Sequence, residues 1–250
     1  MRKTGLLTAA AVIGLTAGAM SAGAAPQAMV NGAKVQTLSR PTAGLTVLWN
    51  QNSPNSAAVD SQNFTSGSYS TYNDAAADDF IVPTGHIWTL NEVDVSGLYF
   101  NGSGPASSVN ITIYHNKPGR GGAIDTPGTA LTRGIYVKLT CTDTSGSFAC
   151  TLPGYGTNHS KHLTLIANHY WVSVVANCSY QGGCGEWGWS QNSTITDDKA
   201  EWENPRGGFA LGCTTWNIVS TCGGSQYVGD FAFQLQGSTT AARHGVATRS

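Results

Sequence analysis

From Leu45 onward, apolar residues fall in short runs separated by Gly, Pro and Asn, and several runs alternate strictly with polar residues. Val109, Ile111 and Ile113 interleave with Asn110, Thr112 and Tyr114, and Phe231, Phe233 and Leu235 interleave with Ala232, Gln234 and Gln236. A period of two puts one face of a strand on a core and the other toward solvent. Further strands are expected at Leu45–Trp49, at Phe80–Val82 up to the Pro83-Thr84-Gly85 stop, at Ile87–Phe100, at Leu163–Ile166 and at Tyr170–Ala176. Ile135–Leu139 and Phe148–Leu152 read as a hairpin. No apolar stripe of helical period is present, so parallel sheets with crossover helices are not expected. About ten strands at this spacing predict an all-β fold, an antiparallel β-sandwich of jelly-roll or galactose-binding-like type.

The start of the chain has a different pattern. Arg2 and Lys3 precede an apolar stretch from Leu6 to Ala19, and Ala22-Gly23-Ala24 then supplies small residues. This order is that of an export signal over residues 1–24, too short and too broken for a membrane span. Residues 25–44 lack periodicity and read as an N-terminal linker, 45–237 as one domain, and 238–250 as a disordered tail. A secreted or periplasmic protein without a membrane span is expected. Loss of the signal takes Lys+Arg from 13 to 11 against 14 Asp+Glu, a net charge of −3. That balance argues against a nucleic-acid partner.

Six cysteines in an exported chain read as three disulfides. They fall into three close couples, so the expected pairs are Cys141–Cys150, Cys178–Cys184 and Cys213–Cys222. No C-x-x-C is present, and a cysteine metal site is not expected.

One set of residues resembles a known kind of protein. Asp78-Asp79-Phe80-Ile81-Val82-Pro83-x-Gly85-x-x-Trp88 is similar to a block found in secreted bacterial β-sandwich accessory domains, which stand alone or are appended to exported peptidases and surface proteins. Gly97–Gly102, Ser108–Tyr114, Tyr170–Val174 and Trp187-Gly188-Trp189 add to the resemblance, which covers roughly residues 77–237. It implies an exported β-sandwich and brings no catalytic residues with it.

The candidate chemistry lies in the last third. Trp187 and Trp189 are two apart and share a strand face, and Tyr180, Trp202 and Trp216 are close in sequence. Flat rings stack on the apolar faces of sugar rings while nearby polar groups take the hydroxyls. Trp187, Trp189, Trp202 and Tyr180 are therefore the expected ligand-binding set, and an extracellular polysaccharide or cell-wall glycan the expected partner. The enzyme alternative is a glycoside hydrolase using Glu186, Glu201 or Glu203, because a same-face i, i+2 pair has about the 7 Å spacing that inversion needs. A second alternative is a structural envelope or matrix protein. Asp78-Asp79 and Asp197-Asp198 are calcium candidates without an EF-hand spacing, and no other cofactor is expected. His159, His162 and His169 lack an H-E-x-x-H frame, so zinc is not expected. No G-x-S-x-G nucleophile motif appears.

Overall fold

The computed structural model describes residues 25–242 except 33, 37–41, 122 and 228. The export-signal segment and residues 243–250 lie outside the described residues. Fifteen strands follow in order: β1 Met29–Val30, β2 Thr46–Asn50, β3 Pro54–Asp60, β4 Gln62–Phe64, β5 Ala75–Val95, β6 Gly97–Phe100, β7 Ser108–Lys117 and β8 Thr126–Leu139. Then come β9 Thr142–Thr144, β10 Ser147–Thr151, β11 Leu163–Cys178, β12 Glu186–Asn192, β13 Glu201–Glu203, β14 Asn217–Ile218 and β15 Phe233–Ala241. A short α-helix, α1 Val219–Gly223, follows β14. Among the described residues no helix is long and apolar enough to cross a membrane.

The strands form two sheets. The smaller has the order β1-β3-β12-β6, and the main path of the larger is β14-β13-β5-β11-β7-β8. Pairing is antiparallel except for one short parallel contact between β4 and β11. The fold is thus an all-β, sandwich-like antiparallel structure. Apolar side chains of both sheets meet in one core, where Phe80, Ile111 and Val172 join Trp187, Trp189, Phe148 and Phe231.

β5 is the spine of the larger sheet. Its first half lies between β13 and β11, and its second half between β15 on one side and β11 then β10 on the other. The Pro83-Thr84-Gly85 segment does not end the strand. Residues 83–86 bulge outward opposite Ala167 between the Val82–Asn168 and Ile87–Ile166 pairs. Gly85 takes φ +82° there, a backbone conformation that glycine reaches freely. Likewise Leu163–Ile166 and Tyr170–Ala176 are two parts of one strand, β11.

Three other expectations are corrected. Ile135–Leu139 and Phe148–Leu152 are not a hairpin, because β8 pairs with β7, whereas β10 pairs with β5 and β9. The 25–44 segment docks on the domain: β1 pairs with β3, Ala28 is buried, and Thr42 donates to Gln236 and Glu92. The tail expected from 238 instead continues β15 to Ala241, because Ser238 to Ala241 pair with Thr89 to His86.

All three expected disulfides form, Cys141–Cys150, Cys178–Cys184 and Cys213–Cys222, with Cα–Cα distances of 4.5, 5.7 and 5.9 Å. Three such bonds belong to an oxidising, non-cytoplasmic compartment.

Candidate site on the outer face of the larger sheet

Directly opposed residues of antiparallel strands point to the same face. Glu201 on β13 opposes Ala77 on β5, which opposes Ser173 on β11, which opposes Thr112 on β7. The next row carries Asp79, Trp171 and Tyr114. Their neighbours Ala76, Phe80, Val172 and Ile113 point the other way, into the core. The outer face is therefore polar and aromatic, and Ala75, Ala77 and Ser173 keep its floor low.

Two hollows lie on this side of the molecule. The first, about 260 Å³, is walled by Asn63, Asn73, Asn110, Thr112, Tyr114 and Ser173. The second, about 730 Å³, lies between the Lys117–Thr126 loop and Trp216, with Arg120, Ile124 and Asn217 in its walls. Tyr114 lines one and Trp216 the other, and the two rings are in edge contact with centroids 6.0 Å apart. The amide groups of the first hollow are held in place. Asn177 accepts from Asn63 and donates to Asn110 and to Ser108.

Acidic groups lie beneath and beside the ring pair. Burial pushes Glu201 up to about 8, with the charges of Asp198 and Glu203 adding to the rise and Lys117 opposing it. Glu203 is pushed to about 7 by burial, against the pull of the Trp216 backbone N–H. Burial also raises Tyr114, and Glu203 adds to that rise. Further along the face, His169 Nε2 lies 2.8 Å from Asp79 Oδ2 and 3.7 Å from Asp198 Oδ2, and its Nδ1 is 3.8 Å from Asp125 Oδ2. Burial raises Asp79 to about 6 even though His169 pulls it down. Burial would lower His169, but its bond to Asp79 and the surrounding carboxylates outweigh that and raise it.

The expected ligand-binding set is dispersed. Trp187, Trp189 and Trp202 are wholly buried, so they form no exposed platform. Their indole N–H groups donate to the carbonyls of Gly146, Ala232 and Asp60 respectively. Tyr180 keeps some exposure, but it packs on Tyr69 at 4.8 Å and on Phe64 at 6.1 Å, in a separate aromatic cluster. Of the three glutamates, Glu201 and Glu203 come together on β13. Glu186 instead sits on the smaller sheet, bonded by Asn101 and the Gln27 backbone and raised to about 7 by burial. Asp78 and Asp79 point to opposite faces of β5: Asp78 faces inward and accepts from Gln51 and the Phe231 N–H.

Sequence reasoning missed Asn110, Thr112, Tyr114 and Asn116 as site residues, although their alternation with Val109, Ile111 and Ile113 was visible. It did not join Asp79 to His169, Asp125 and Asp198, which are far apart in the chain and carry no local motif. In comparisons with family models, curated proteins and solved structures, nothing matches this chain.

Proposed function

We propose that this protein binds a neutral glycan on the outer face of its larger sheet, across Tyr114 and Trp216, without catalysing its turnover. The observation that carries this reading is the edge-contact ring pair joining two hollows. The eight groups named from the first hollow and its supporting network are all neutral hydrogen-bonding side chains, with Asp74 the one carboxylate in its lining, and the second offers Trp216 beside Arg120 and Asn217. Rings satisfy the apolar faces of a sugar, and fixed amides and hydroxyls satisfy its hydroxyls at low entropic cost. Trp216 is half-buried, which suits a ring that packs on Tyr114 yet keeps a free surface. Glu201 and Glu203 line neither hollow, which favours binding over hydrolysis by that pair.

Depletion of the mature, oxidised protein by a panel of insoluble polysaccharides and cell-wall preparations tests the reading. Retention by one polymer is expected, weakened about tenfold or more in Trp216→Ala and in Asn110→Ala with the melting temperature little changed. Retention unaffected by both variants, or retention by no polymer, overturns it.

A further inference from the structure

Asp79, His169 and Asp198 offer one ligand atom each, and these atoms all lie within 4.8 Å of one another. The cluster is more than a group of surface acids. Asp79 is wholly buried, and its Oδ1 has no hydrogen-bond partner. Glu201 is also wholly buried with both carboxylate oxygens unpartnered, and Asp198 is the neighbouring charge that acts on it most. Among the described residues no Lys or Arg pairs with any of these groups. A buried carboxylate without a cation costs heavily unless a proton or a metal ion supplies the missing charge.

We propose that Asp79, His169 and Asp198 form a binding site for a divalent transition-metal ion of the zinc class. One imidazole nitrogen with two carboxylate oxygens suits a borderline ion, whereas calcium takes oxygen ligands alone. Donors bound at about 2.0–2.2 Å around zinc are roughly 3–3.5 Å apart. The distances of 2.8 and 3.7 Å from His169 Nε2 to its two carboxylate partners bracket that range. The imidazole is also oriented from behind. Asp125 faces its Nδ1 and is itself fixed by Asn116 and by the Gly119 N–H, while Asn116 accepts from Trp171 Nε1 at 2.9 Å. The Trp171 ring stacks on the imidazole with centroids 5.9 Å apart. A carboxylate on the far side of a ligating histidine strengthens it as a donor, and Asp125 stands there at ion-pair distance. Asp125 and Asp198 also line a cavity of about 220 Å³ that gives an ion and its waters a way in. Three protein ligands leave coordination positions open.

The site stands apart from the glycan reading and is tested without it. Chelator-stripped, oxidised full-length mature protein is titrated with zinc by calorimetry, and cobalt is added to a second sample to read its visible absorption. One saturable zinc site is expected, with cobalt bands that show nitrogen and oxygen ligation. His169→Ala and Asp198→Asn should each weaken zinc at least about tenfold. Asp198 lies on a partly exposed loop, so Asp198→Asn keeps the test open if His169→Ala does not fold. No saturable zinc binding by the folded protein overturns the proposal. So does zinc binding untouched by Asp198→Asn, which places the ion elsewhere, and so does a site that takes calcium and refuses zinc.

Discussion

Trp187 and Trp189 leave β12 on one side, as residues two apart on a strand must, and that side is the core. Trp187 stacks on Phe148 at 4.9 Å and Trp189 on Phe231 at 4.8 Å. Trp216 differs only in its surroundings: a half-buried ring held by Tyr114 beside an open cleft. Trp187→Ala is therefore expected to cost about 3–5 kcal/mol in urea unfolding, the usual loss for deleting a packed indole. A cost below about 1 kcal/mol would show that this ring is loosely held. The sequence spacing that grouped Trp187 with Trp189 was right about the shared face, but no spacing rule says whether a face meets solvent or a second sheet. That depends on which strand covers it, a non-local property. Asp79 shows the same limit, since its partner His169 is 90 residues away.

At the scale of elements, local signals were legible and pairings were not. The period-two run at 109–113 is strand β7, and each close cysteine couple is a disulfide, because both features are written within ten residues. β3 was not legible, since Pro54-Asn55-Ser56-Ala57-Ala58 has few β-branched residues and earns its conformation from β1 and β12. β13 is only Glu201-Trp202-Glu203, yet it carries two acids of the site because it pairs with both β5 and β14. The Cys213–Cys222 bond closes the loop that holds Trp216 and Asn217 over the cleft. Its removal by Cys213→Ser with Cys222→Ser should lower stability by roughly 2–4 kcal/mol and also abolish polysaccharide retention. Removal of Cys141–Cys150 should destabilise similarly and leave retention in place at temperatures where the variant is folded. Equal loss of retention in both variants would mean that the Cys213–Cys222 clip has no special part in holding the ring.

At the scale of the whole molecule, the described residues bury acid without burying base. Nine of its fourteen carboxylates are buried, and no Lys or Arg among the described residues is. The ion pairs among the described residues all involve His169. Burial raises Asp60, Asp74 and Asp78 well above the usual range, and takes Glu186, Asp94 and Asp230 to about 7. In the unfolded chain these groups lose their protons near pH 4. Between about pH 4 and 8 the folded state therefore holds more protons than the unfolded one, and stability falls as pH rises through that window. His169 acts in the same direction, since its raised value gives stability that is full below the unfolded pKa and is lost as pH climbs through the folded one. In chelator, Tm should drop by on the order of 10 °C from pH 5 to pH 8, given about 2–4 °C per kcal/mol at this chain length. A flat or rising profile would mean that the buried carboxylates are ionised and compensated by groups other than protons. Glu201→Gln isolates one contribution: a neutral amide cannot ionise, so the variant should match the parent at pH 5 and melt above it at pH 8. If the two remain equal at pH 8 in chelator, Glu201 is not the protonated acid that its burial requires.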